Sequence, residues 1–117
     1  MSAVRIYHNP RCSKSRQALA LLEERGEDFD VINYIAEPLD NATISDLLVT
    51  LGMSARELMR KGEDTYKELK LDNPELSEAQ LVQALADYPR LIERPIVVKD
   101  GHALIARPPE KLLELFA

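Results

Sequence analysis

Apolar and polar residues alternate through Ala3-Val4-Arg5-Ile6-Tyr7, a period of two that predicts a strand, and Asn9-Pro10 breaks it. The period then changes. From Ser13 to about Arg25, Ala18, Leu19, Leu21 and Leu22 make one apolar stripe while Glu23 and Glu24 face water, which predicts a helix stopped by Gly26. Phe29, Val31, Ile32, Tyr34 and Ile35 read as a second strand, ended by Pro38. Strand, helix and strand joined by short returns form a βαβ unit.

The middle of the chain has no strand period. Asp40 is placed to cap a helix in which Ile44, Leu47, Leu48 and Leu51 recur at i, i+3, i+4 and i+7, and Gly52 ends it. Ser54-x-x-Glu57 and Ser77-x-x-Gln80 are capping boxes for two more helices, the second carrying Leu81, Val82 and Leu85 and closing at Pro89. Between them Lys61 to Pro74 is polar, with a helical turn around Tyr66 to Leu69. The last third returns to strands. Pro95-Ile96-Val97-Val98 and Ala103-Leu104-Ile105-Ala106 flank Asp100-Gly101, a pair that favours a tight antiparallel turn because both positions tolerate positive φ. Arg107-Pro108-Pro109 leads into a closing helix packed down by Leu112, Leu113, Leu115 and Phe116. The order β-α-β, helical block, β-β-α predicts one α/β domain over residues 1–117, with a small mixed sheet and a helical insertion at about 40–90.

Composition narrows the setting. A length of 117 residues suits one domain. No apolar run approaches the ~20 residues of a membrane helix, and Met1 to Arg5 lacks the apolar block of a signal peptide, so a cytoplasmic location is expected. A net charge of −5 opposes the basic face of a nucleic-acid binder. The single cysteine, Cys12, cannot form an internal disulfide and suits a reducing compartment. No metal and no bound cofactor is expected. Charge is unevenly spread, however: residues 1–20 hold Arg5, Arg11, Lys14 and Arg16 and no acid. That points to a local anion site, although solvated surface charge is the commoner role for any one of them.

Cys12 therefore matters more than its number suggests. A free cysteine of pKa near 8.5 is only a few per cent thiolate at pH 7, but the unpaired N–H groups of a helix start and nearby cations favour the charged form. Ser15, one helical turn on, is placed to donate a hydrogen bond to the sulfur. His8 can assist, or cap the end of the strand. A small buried apolar role is the alternative for Cys12, and its cationic company argues against it. With serine in the second place of Cys-x-x-Ser the chain cannot resolve its own mixed disulfide, so an outside thiol is required. Arg60, Arg94 and Arg107 each end an element, and arginine's planar fork suits a tetrahedral oxyanion.

His8-Asn9-Pro10-Arg11-Cys12-Ser13-Lys14-Ser15-Arg16, Glu57-Leu58-Met59-Arg60-Lys61, Glu93-Arg94-Pro95-Ile96-Val97-Val98 and Arg107-Pro108 together resemble the glutaredoxin-coupled arsenate reductases. The match runs in order from Ile6 to the final helix and is most similar to that family's short branch. It implies a thioredoxin-like fold, with a four-stranded mixed sheet and a helical insertion between the βαβ and ββα units, and a cis peptide before Pro95. It further implies that Cys12 attacks arsenate, that His8 and Ser15 support its thiolate, and that Arg60, Arg94 and Arg107 hold the oxyanion. Glutathione is then the co-substrate and glutaredoxin removes the mixed disulfide as arsenite leaves. Arg11 and Lys14 put more bulk and charge beside the thiol than the small residues common in the better-studied branch. There are two alternatives, the first sharing the fold and the second keeping the thiol. Spx-type regulators bind RNA polymerase without catalysis, usually with a Cys-x-x-Cys switch that Ser15 does not supply; a glutathione-dependent thiol transferase would use Cys12 on another substrate.

Overall fold

A computed structural model describes residues 4–116. Ala3, which the alternation places at the head of the first strand, lies outside them. The described chain divides into two compact units, one gathering the residues up to Glu37 and those from Arg94 onward, the other Pro38–Glu93.

In the first unit, β1 (Val4–His8), α1 (Ser13–Glu24) and β2 (Phe29–Asn33) form the expected βαβ motif, and β3 (Ile96–Lys99) and β4 (His102–Ile105) the expected hairpin. The sheet is four-stranded and mixed, in the order β2-β1-β3-β4. β1 runs parallel to β2, with Ile6 opposite Val31, and antiparallel to β3, with Ile6 opposite Val97. Val4, Ile6 and Val97 are buried against Ala18 and Leu22 of α1 and against Ala106 and Leu112. The alternation of β1 and the i, i+4 spacing in α1 thus meet on one side of the sheet.

Two expected boundaries move, for local reasons. β2 ends at Asn33 rather than Ile35, because the Asn33 side-chain oxygen accepts the N–H groups of Ile35 and Ala36, both at 3.1 Å, and turns the chain. The closing helix is 3-10, over Pro109–Phe116. Pro109 and Leu112 are buried and Leu115 is half-buried, a spacing of three that matches 3.0 residues per turn; Leu113, expected inside, is exposed.

The second unit is helical: α2 (Asn41–Leu51), α3 (Ala55–Leu58), α4 (Asp64–Glu68) and α5 (Glu78–Asp87), then a short 3-10 turn at Pro89–Leu91. The expected caps are present. Asp40 accepts the Thr43 N–H at 2.8 Å, and Ser54/Glu57 and Ser77/Gln80 form complete boxes. Gly52 ends α2 at φ 69, where the Met53 N–H reaches Leu48 O at 3.0 Å. One feature has no periodic signal in the sequence. Met59 and Ile92 form an isolated antiparallel bridge, flanked by Arg60 N–H to Leu91 O at 2.7 Å and Glu93 N–H to Leu58 O at 2.9 Å.

Candidate active site

The corner between β1 and α1 is built by Asn9. Its carbonyl accepts the Cys12 N–H at 3.0 Å and closes a four-residue turn. Its side-chain oxygen accepts the Arg11 N–H at 3.0 Å, and its own N–H donates to the Ser15 hydroxyl at 3.0 Å. Arg16 reaches back to the Pro10 carbonyl at 2.8 Å. Four residues are fixed this way, and Cys12 emerges as the N-cap of α1 with extended dihedrals, φ −93 and ψ 122. From the sequence Asn9-Pro10 reads as the break after the first strand; an Asn-Pro pair between strand and helix is also a turn initiator whose side chain bonds the backbone two residues on.

Cys12 is half-buried, and its thiol titrates below the ordinary value. Burial alone would push it up. Against that stand the Ser15 N–H, the Arg94 guanidinium as both hydrogen-bond donor and charge, and the Lys14 N–H. The sulfur makes no capping bond of ordinary geometry, yet the N–H groups that stabilise its charged form are those of the second and third helical residues, where a cap side chain normally bonds.

Ser15 contributes differently from expectation. Its buried hydroxyl lies 2.6 Å from His8 Nδ1 and accepts the Asn9 N–H; what reaches the sulfur from Ser15 is the backbone N–H. His8 is itself buried at the end of β1. Burial, and then the charge of Arg16, hold its imidazole below the ordinary value, so the ring is neutral at pH 7.

Arg94 and Arg107 come from the hairpin. The β3–β4 register pairs Ile96 with Ile105, and the Ala106 N–H continues the ladder to Pro95 O at 2.9 Å. One further step places Arg94 beside Arg107, whose Nη1 donates to the Arg94 carbonyl at 3.2 Å and lies 3.9 Å from the Cys12 sulfur. Both arginines precede cis prolines, at Arg94–Pro95 and Arg107–Pro108. Arg94 is buried and Arg107 is exposed. The first unit therefore brings Cys12, Arg94 and Arg107 together, with His8 and Ser15 beneath the turn.

Arg60 lies in the second unit. Its Nε is 3.1 Å from a Glu93 carboxylate oxygen, held there by the bridge between Met59 and Ile92. Among the described residues no group of three or more His, Cys, Asp or Glu side chains is arranged to hold a metal. A thiolate flanked by helix N–H groups and two guanidinium groups can attack a tetrahedral oxyanion while neutralising its charge.

Comparisons with known proteins match nearly the whole chain. The ArsC family model matches residues 7–115. YfgD of Escherichia coli strain K12, named as an uncharacterized protein, is 59% identical over 113 residues, covering 96% of this chain and 95% of its own. An arsenate reductase of Neisseria meningitidis serogroup A is 50% identical over 113 residues, covering 96% and 97%. The solved arsenate reductase of Vibrio cholerae is 48% identical, with a TM-score of 0.93 and 96% of each chain covered. The fold is thioredoxin-like.

Proposed function

The chain belongs to the ArsC family, and on that premise we propose that it reduces arsenate through a Cys12 adduct with electrons from glutathione and glutaredoxin. The observation that carries the reading is a thiol held below its ordinary value beside two guanidinium groups. In the first step the Cys12 thiolate displaces one arsenate oxygen, which leaves as water after taking up a proton. A sulfur–arsenic bond forms and nothing is oxidised. Arg94 and Arg107 offset the charge on the arsenate oxygens.

Next a glutathione sulfur attacks the Cys12 sulfur. The sulfur–arsenic bond breaks with its electron pair left on arsenic, which passes from the +5 to the +3 state, and the glutathione proton goes to an arsenite oxygen. Glutaredoxin then takes glutathione from the mixed disulfide and restores the thiol. The step needs an outside thiol because Ser15 stands where a resolving cysteine would be. The family resemblance adds Arg60 to the oxyanion ligands. A cytoplasmic site of action follows from the need for reduced glutathione, and no described helix is long and apolar enough to cross a membrane.

The test is arsenate-dependent NADPH oxidation in the presence of glutathione, glutaredoxin and glutathione reductase. A rate that vanishes in Cys12→Ser supports the reading; no rate above background, beside an active control reductase, overturns it. Arg94→Ala and Arg107→Ala should each lower kcat/KM for arsenate on the order of 10²-fold, the usual loss when an oxyanion donor is removed. Arg60→Ala tests that residue separately.

A further inference from the structure

The activation of Cys12 leaves two neighbouring cations unused. The side chains that act on the sulfur belong to Arg94 and Arg107, and the helix start contributes only its backbone. Arg11 sits exposed on the turn, immediately before Cys12, and uses only its backbone N–H, given to Asn9. Lys14 is half-buried on the first turn of α1 and favours the thiolate only through its backbone N–H. Among the described residues no hydrogen bond or ion pair engages the Arg11 guanidinium or the Lys14 ammonium, whereas Arg16 is tied to the Pro10 carbonyl. No acidic residue occurs in the chain before Glu23, so the segment carries no carboxylate to neutralise them.

We propose that Arg11 and Lys14 form a carboxylate-binding rim that selects an anionic thiol as the partner of Cys12. The inference rests on the reading of Cys12 as a thiol that exchanges with an external one. The placing of charge along the chain favours a peptide-like thiol with an acid on either side. Arg11 and Cys12 have Cα atoms ~3.8 Å apart, and Lys14 begins two residues beyond the thiol. In a tripeptide with cysteine at its centre the C-terminal carboxylate lies about two residues from the sulfur, roughly 7 Å, and a γ-glutamyl linkage on the other side carries a second carboxylate somewhat farther out. One cation on each side of Cys12 in sequence matches one carboxylate on each side of the incoming sulfur, and glutathione has this shape and charge. Arginine adds a bidentate fork for one acid, and lysine a point charge for the other.

The test needs no arsenate. The Cys12 thiolate attacks a disulfide, forming the Cys12 mixed disulfide and releasing one thiolate, so that electrons balance within the exchange. Rates of mixed-disulfide formation, read by intact-protein mass, are compared for oxidised glutathione, neutral hydroxyethyl disulfide and cationic cystamine. The ratio of the first to the second cancels changes in thiol reactivity. Exposed ion pairs are weak, so Arg11→Ala/Lys14→Ala should lower that ratio about three- to tenfold and raise relative reactivity toward cystamine. Arg11→Glu/Lys14→Glu should lower it further, and added salt should shrink the wild-type preference. An unchanged ratio in both double variants overturns the rim. A wild-type preference lost in the variants, beside no arsenate-dependent rate, would keep the rim and discard arsenate as the substrate.

Discussion

At Cys12 a sulfur stands where helix starts usually carry the oxygen of serine, threonine, aspartate or asparagine. Cap side chains accept from the second and third helical N–H groups, here Lys14 and Ser15, and those are the backbone groups that favour the thiolate. The N-cap position and the activation of the thiol therefore draw on the same two N–H groups. The rate of Cys12 alkylation by iodoacetamide should rise with pH about a midpoint below the ordinary thiol value, and Arg94→Ala should move that midpoint upward. His8 gives a second pH dependence. Its folded pKa is depressed, so the unfolded state binds more protons between the two values, and stability falls as pH drops below about 6.5. Urea midpoints measured across that range should fall for the wild type and less for His8→Gln. Residue types alone singled out Cys12, His8 and Ser15. The atom that Ser15 offers was not legible, because a hydroxyl's partners depend on the fold of the turn around it.

At the scale of elements, the Asn9–Cys12 turn and the β3–β4 hairpin carry the site between them. Asp100 and Gly101 both have positive φ, 49 and 81, as a two-residue hairpin turn requires. That turn fixes a register in which every paired position is equidistant from it, and Arg94 and Arg107 are such a pair. Gly101→Ala should cost about 1–2 kcal/mol in urea unfolding, since a Cβ disfavours the left-handed region. Asn9→Ala removes the acceptor for the Arg11 N–H, so stability should fall by about 1 kcal/mol. The same variant should raise the midpoint of Cys12 alkylation as the turn loosens. The pairing of the two arginines was available from turn length and strand spacing, although each taken alone reads as a surface cation. The 3-10 form of the last helix was less accessible, because a spacing of three also fits an α-helical stripe.

At the scale of the molecule, the first unit is assembled from two distant parts of the chain, because β1 accepts β2 on one edge and β3 on the other. Its core holds α1 and the final 3-10 helix to one face through Leu22 and Leu112, both fully buried. Leu22→Ala should cost about 2–5 kcal/mol through lost burial and the cavity left behind, measurable as a lower urea midpoint with unchanged slope. Because that core underlies the helix that presents Cys12, the variant should lose stability well before it loses thiol reactivity at 25 °C.

Local patterns in the sequence determined the elements, the helix caps, the hairpin turn and the placing of the only cysteine at a strand–helix corner. Each depends on residues within a few positions of one another, where φ/ψ preference and periodic burial act directly. The tertiary structure decided which strand lies beside β1, that the Arg94 and Arg107 guanidinium groups reach a sulfur 95 residues from Arg107, and that Arg60 pairs with Glu93. Those contacts join segments far apart in the chain, and only the packing of the sheet and of the Met59–Ile92 bridge, not any local repeat, brings them within reach.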